Sequence, residues 1–233
     1  LFLNKAQNKT LDGGIKLNKG NSSNLHPEAW EKESEKLVYR KMFGAMDPFL
    51  LKSWNEFYRN LILKVRDLDL ISKELILLCL LTYTKEANGR IHISRAKEAG
   101  VTEMQMTSAI SVAGAFSTFS SYNFLSKNWS KELEIKKVLD AYLLGIEQSR
   151  GELDPKLCEI MGIVCHASKR SFKGMQIHLK NAFALEAKVS EVSEALSYLI
   201  MVSSVPTLTD AVLEWSKIAD KGLCPPPYLN MNS

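Results

Sequence analysis

Two glutamate–histidine combinations are the residues of this 233-residue chain whose types and spacing could do chemistry. Glu74 precedes His92, and Glu159 precedes His178 by a similar interval. A carboxylate orients an imidazole and favours its charged form, while the imidazole delivers or accepts a proton at a substrate carbon or thiol. The sequence therefore predicts two proton relays with these four side chains as candidate catalytic residues.

The two combinations lie in segments that resemble each other. At a constant shift of 86 positions His92 falls on His178, together with several apolar and small neighbours. Upstream, residues 68–81 pair with residues 153–165 once one extra residue is allowed in the second copy, which sets the two glutamates against each other. Self-similarity at a fixed shift is typical of repeated architectures. We therefore expect a tandem duplication.

Arg95 is a candidate substrate-binding residue, because it follows His92 by three positions and shares its helix face. A guanidinium there could hold a substrate carboxylate. The second copy has Asn181 at this position, and a solvated surface arginine is the alternative. The glutamate–histidine pairs have an alternative too, as buried salt bridges that fix two helices. His166, beside Cys165 in an apolar segment, is interpreted as a satisfied core histidine.

The same residues argue against a metal or another cofactor. A metal site needs three or more ligands within reach, and each copy offers at most one histidine and one glutamate. The cysteines have no CxxC spacing, so we expect buried reduced thiols and a cytoplasmic compartment. They are Cys79, Cys158, Cys165 and Cys224.

The amino-acid composition and charge of the chain limit the classes of partner that we expect. Apolar residues make up 45% and charged residues 24% of the chain, which is near the globular average. The net charge of +4 is dispersed and forms no basic stripe, so nucleic acid is not expected as a partner. The longest apolar run, residues 75–83, is about half the length that a membrane span needs. The opening LFLNKAQNKT does not resemble a signal peptide.

Helical periodicity without alternating strand patterns predicts an all-α fold that positions these residues. We divide the chain into a flexible arm (1–25), a first repeat (26–130), a second repeat (131–222) and an extended tail (223–233). The expected helix starts are His26-Pro27, Asp47-Pro48, Ser72, Thr102 with Gln105, Asp154-Pro155 and Pro206. The expected helix ends or breaks are Gly44, Asn88-Gly89, Gly100 and Lys173-Gly174. In the second repeat, residues 192–204 are expected to form one helix that corresponds to the small-residue helix of the first.

The chain resembles the carboxymuconolactone decarboxylase and alkylhydroperoxidase D superfamily over nearly all of residues 35–220. The matching features are the KELILLCLL helix, the IHISRAKEAG helix, the VTEMQM segment and a small-residue helix. Members carry a core glutamate, a histidine eight residues before a glycine, and a Val-Thr cap. Glu74, His92, Gly100 and Val101-Thr102 match that layout, and Gln105 replaces the glutamate that members carry three residues after the threonine.

The peroxidase branch of this family depends on Cys-x-x-Cys-x-x-x-His, and the chain departs from it. Lys85 and Asn88 stand at the two cysteine positions before the first histidine. A dithiol cycle is therefore not expected. The second copy retains Glu159 and His178 but has Glu186 in place of the glycine.

The resemblance to the decarboxylase branch implies cofactor-free conversion of a small organic acid or lactone, with Arg95 positioning the acid. It also implies a homo-oligomer, and a duplicated chain would form a trimer. Two alternatives remain open: a catalytically silent ligand-binding or scaffold protein, and a peroxide-handling enzyme that uses Cys79 or Cys165.

Overall fold

A computed structural model describes residues 36–228, and this part of the chain is all-α, without strands, as predicted. In chain order the helices are α1 (Val38–Met46), α2 (Pro48–Tyr58), α3 (Leu70–Thr84), α4 (Ile91–Glu98), α5 (Glu103–Ser117), α6 (Phe119–Asn128), α7 (Ile135–Arg150), α8 (Pro155–Ser168), α9 (Phe172–Ala184), α10 (Val189–Ser197), α11 (Leu199–Val202) and α12 (Val205–Ala219). A π-helical turn, Arg59–Leu63, extends α2, and a 3-10 turn, Ala87–Arg90, precedes α4.

None of the helices within residues 36–228 combines the length and the apolar character needed to cross a membrane. The predicted arm, residues 1–25, and the predicted helix start at His26-Pro27 lie outside the described residues.

Several predicted helix starts are confirmed by their caps. Asp47 and Asp154 each accept a backbone N–H through the side chain, and a proline follows each of them as the first helical residue. Thr102 and Gln105 form the predicted capping box, with hydrogen bonds of 3.1 and 3.0 Å. Ser204 caps α12 just before Pro206.

Two predictions in the first half of the chain are wrong. Asp69, not Ser72, is the N-cap of α3, and its Oδ1 accepts the backbone N–H of Ser72 at 2.9 Å. A carboxylate is the stronger acceptor at the positive end of a helix. Gly44 does not end the first helix, which runs on to Met46. Instead it gives room to Leu51, whose Cδ2 would lie 2.9 Å from an added Cβ.

The second half also differs from prediction at two places. Lys173-Gly174 lies inside α9, and the break comes earlier, where Arg170 adopts a φ of 52°. A left-handed residue ends a helix whichever side chain it carries, so the glycine was a misleading signal. Residues 192–204, predicted as one helix, are divided at Tyr198 between α10 and α11.

The core is built around α3 and α8. Every residue of α3 from Lys73 to Leu80 is buried, and the helix packs against α4, α5 and α8. One hydrophobic cluster includes residues of both predicted repeats. The Sγ atoms of Cys79 and Cys165 lie 3.7 Å apart where α3 meets α8, and both are free, buried thiols, as predicted.

The predicted tail is partly described. Residues 223–228 contain no helix. The Trp215 indole N–H donates to the carbonyl of Pro225 at 2.7 Å, which ties this segment to α12.

Two glycines allow α8 and α9 to approach each other closely. A Cβ at Gly162 would lie 2.5 Å from Cγ of His178, and a Cβ at Gly174 would lie 2.6 Å from Nδ1 of His166. Real Cβ atoms do not make such contacts, so each histidine ring occupies space that only a glycine leaves open. The two glycines thus set the depth at which both rings lie.

We expect Gly162→Ala and Gly174→Ala each to lower the free energy of unfolding by about 1–3 kcal/mol, the usual cost of overpacking. Gly114→Ala is the matched control, because nothing lies within 4 Å of its added Cβ. That variant should be more stable than the wild type by about 0.5–1 kcal/mol, the helix-propensity difference. Urea unfolding measures all three, and equal stabilities would contradict the packing argument.

Candidate functional site

The first predicted pair is formed by α3 and α4. Oε2 of Glu74 lies 2.7 Å from Nδ1 of His92, and both side chains are buried. The 3-10 turn before α4 lets the chain reverse so that the histidine faces the preceding helix. Because a carboxylate is an acceptor, Nδ1 carries the proton of this bond. Nε2 is then the ring nitrogen available for chemistry.

The remaining oxygen of the carboxylate reinforces this coupling. Oε1 of Glu74 is buried and accepts no hydrogen bond from the described residues. His92 is thus the principal donor to this carboxylate.

His92 lines a cavity of about 150 Å³ that lies between α2, α4 and α11. The lining is mainly aromatic and aliphatic and includes Tyr39, Trp54, Tyr58, Leu81, Ile91 and Met201. Ligand pockets of drug-sized molecules are commonly about 300–1,000 Å³, so this cavity suits a smaller molecule. The hydrogen bond of the His92 ring to a described residue is made through Nδ1, and Nε2 has no such partner.

Arg95 is not the solvated surface arginine of the alternative interpretation. It is fully buried rather than solvated on the surface. Its Nη1 donates a hydrogen bond to the Tyr58 hydroxyl, and Tyr58 lines the cavity whereas Arg95 is not among its lining residues. Arg95 therefore positions the tyrosine that faces the cavity.

The second predicted pair is formed by α8 and α9. Oε2 of Glu159 lies 2.6 Å from Nδ1 of His178, which matches the first pair closely. Here, however, Nε2 is occupied: it lies 2.8 Å from the hydroxyl of Tyr142 on α7. The same hydroxyl lies 2.8 Å from Nε2 of His166.

His166 determines which atom donates in each hydrogen bond of this chain. Nδ1 of His166 is buried and has no hydrogen-bond partner among the described residues. A proton there would be an unsatisfied buried donor, so we assign it to Nε2, which donates to Tyr142. Tyr142 then donates to His178, and His178 donates to Glu159. Each proton in the chain has an acceptor.

Tyr142 and the two histidines form a closed cluster. The rings of His166 and His178 stack with centroids 5.2 Å apart, and Phe116 and Phe119 pack edge-on around them. Burial, and next the nearby His178, lower the pKa of His166 well below its usual value. His166 is the buried core histidine that the sequence predicted. The role of Tyr142 was missed, because its spacing marks it only as an inward-facing helix residue.

In the second pair, solvent reaches the glutamate and not the histidine. The Glu159 side chain is 16% exposed and lines a surface pocket of about 330 Å³ with Asn181 and Arg150. His178 is fully buried. The first pair presents a histidine to its cavity, whereas the second presents a carboxylate.

A metal centre and a reactive thiol are the two further kinds of site to consider. Residues 36–228 contain no group of three histidine, cysteine or acidic side chains that could hold a metal ion. Burial raises the pKa of the Cys79 thiol well above its usual value, with the contact to Cys165 acting in the same direction. A protonated thiol is a poor nucleophile towards peroxide.

No protein-family model, curated protein or solved structure matches this chain. The resemblance to the decarboxylase superfamily therefore depends on the residues of the sequence alone.

The lowered pKa of His166 predicts how the free energy of unfolding changes with pH. Its folded pKa lies below the unfolded value of 6.5, so below that pH the unfolded chain binds a proton that the folded chain excludes. Acidification from pH 7 to 5 should therefore lower the free energy of unfolding by about 2 kcal/mol through this residue. His166→Gln should lack this part of the loss. Identical pH dependences in urea unfolding would contradict the assignment.

Proposed function

We propose that the chain is a member of the carboxymuconolactone decarboxylase-like superfamily that catalyses cofactor-free acid–base chemistry on a small organic acid or lactone. The observation that carries this proposal is His92, which is held by Glu74 at Nδ1 and borders an apolar cavity with Nε2 unoccupied. A general acid must reach its substrate through a free nitrogen of suitable orientation. The first pair meets that requirement.

The proposed reaction needs no group from outside the chain except water. When the carboxyl carbon leaves as carbon dioxide, the electron pair of the broken bond delocalises into the unsaturated remainder of the substrate. The imidazolium of His92 then transfers the proton on Nε2 to carbon, and Glu74 stabilises the charged ring before this step. Water returns a proton to the imidazole. A lactone or keto-acid isomerisation would use the same nitrogen to remove and return one proton.

We further propose that only the first pair is catalytic. In the second pair the Tyr142 hydroxyl fills the position at Nε2 of His178 that a substrate would need. Glu159 and His178 would then hold α8 and α9 together. A tandem duplication accounts for the two closely similar pairs, 2.7 and 2.6 Å, and for the contact of Cys79 with Cys165, which are related by the same shift of 86.

The alternative is a ligand-binding or scaffold protein without turnover. The closed second pair supports this alternative, because both ring nitrogens of His178 lie within hydrogen-bonding distance of other side chains. A small acid bound tightly and recovered unchanged would support that alternative. Assembly as a trimer and a cytoplasmic location remain predictions from the resemblance and the cysteines; sedimentation velocity tests the former.

The acid–base proposal predicts that His92→Gln slows turnover by about 10²–10⁴-fold, the usual contribution of a general acid. The assay follows carbon dioxide release and ultraviolet absorbance over a panel of small unsaturated lactone acids and keto acids. Glu159→Gln is the matched control in the second pair and should change turnover less than threefold. Unchanged turnover in His92→Gln would refute the proposal, and an equal loss in Glu159→Gln would refute the single catalytic pair.

A further inference from the structure

The surface pocket beside Glu159 has the features of a second binding site. Its volume is about 330 Å³, and residues of α7, α8 and α9 line it. Pockets that hold small molecules commonly have volumes of about 300–1,000 Å³. None of its lining residues also lines the cavity at His92. The pocket is therefore separate from the proposed catalytic site.

The Glu159 carboxylate at this pocket has one oxygen without a partner. Its Oε2 lies 2.6 Å from Nδ1 of His178, whereas Oε1 has no hydrogen-bond partner among the described residues. The side chain is 16% exposed, so a ligand in the pocket can reach it. In the first pair, by contrast, Oε1 of Glu74 is enclosed. A carboxylate offers about four acceptor positions, so Glu159 can accept further donors.

The charge of this carboxylate is not balanced by its histidine. The His178 ring is neutral, because its Nε2 accepts from the Tyr142 hydroxyl while its Nδ1 donates to Glu159. Water screens a half-buried charge less than an exposed one. Glu159 therefore attracts a cation more strongly than a carboxylate at the open surface does.

Arg150, the cation among the lining residues, does not supply that balance. Its Nε donates to Glu147 at 2.9 Å, its Nη2 donates to the same carboxylate, and its Nη1 donates to the carbonyl of Leu153 at 2.7 Å. The charges of Arg150 and Glu147 thus cancel each other. The lining as a whole keeps the negative charge of Glu159.

The other lining residues provide a second polar group and an apolar wall. The side-chain amide of Asn181 has no hydrogen-bond partner among the described residues, and its oxygen is an acceptor. Leu143, Ile146 and Pro155 contribute hydrocarbon surface. A ligand that matches this lining combines a positively charged donor with a short hydrocarbon part.

We propose that this pocket binds a small organic ammonium ion. Its N–H groups donate to Oε1 of Glu159 and to the amide oxygen of Asn181, and its hydrocarbon part contacts Leu143 and Ile146. The inference goes beyond the proposed function, because it assigns a second ligand, of opposite charge, to a different place in the fold. A hydrogen bond from an ammonium to a carboxylate is charge-assisted and stronger than a neutral one.

The test is binding of three probes to the full chain near pH 7, where an alkylamine carries its proton. Calorimetry and thermal unfolding measure the binding. Butylammonium is the organic cation, 1-butanol is its neutral counterpart, and ammonium is a cation without hydrocarbon. We expect butylammonium to bind and to raise Tm with concentration, and the other two to bind at least about tenfold more weakly. Equal binding of butanol or of ammonium would overturn the assignment.

Variants locate the cation. Glu159→Gln removes the charge but keeps an oxygen that can accept from His178, and it should weaken butylammonium binding at least about tenfold. Asn181→Ala should weaken it by a smaller factor. Glu134→Gln is the matched control, because it removes the same charge from an exposed carboxylate that pairs with Lys137, and it should bind as the wild type does. Wild-type affinity in Glu159→Gln would overturn the proposal.

If Glu159→Gln does not fold, ¹H–¹⁵N spectra of the wild-type histidine side chains decide. A cation at Glu159 changes the charge that His178 faces, so the Nδ1 signal of His178 should shift when butylammonium is added, while the signals of His92 stay unchanged. No shift at His178, or a shift at His92 alone, would overturn the assignment. Because this readout is binding, it is separate from the proposed reaction at His92 and can succeed or fail independently of turnover.

Discussion

The hydrogen bond between a helix carboxylate, buried in Glu74 and half-buried in Glu159, and Nδ1 of a histidine is the interaction on which this structure depends. A glutamate inside an apolar helix cannot remain charged without a donor. Glu74 on α3 obtains one only because α4 folds back against it, and Glu159 on α8 obtains one because α9 does the same. Each hydrogen bond therefore holds two helices together. Because it engages Nδ1, only Nε2 of each ring is available for a contact with another group.

The two pairs differ in what lies next to Nε2 of the histidine. His92 lines a small, mainly apolar cavity. Nε2 of His178 instead lies within hydrogen-bonding distance of the Tyr142 hydroxyl, which also contacts Nε2 of His166. Gly162 and Gly174 make room for those rings, so the closed cluster is built into the helix packing. We attribute chemistry to the first pair and structural support to the second because an occupied nitrogen cannot take part in proton transfer to a ligand.

The sequence allowed the all-α class, several helix caps and the proximity of each glutamate to its histidine to be predicted, since these follow from periodicity and local hydrogen-bond chemistry. Features that depend on tertiary packing could not be predicted. The burial of Arg95 and the partners of Tyr142 arise from helices distant in sequence, and Gly174 resembled a helix break although it is a packing position.

The central claim is that one histidine nitrogen is open and the other is occupied, and histidine side-chain ¹H–¹⁵N NMR tests it most directly. Spectra of the ¹⁵N-labelled chain would be recorded before and after addition of a small carboxylic acid. The account predicts that the Nε2 signal of His92 shifts, while the Nε2 signals of His178 and His166 retain the values of hydrogen-bonded rings. A shift at His178, or none at His92, would contradict it.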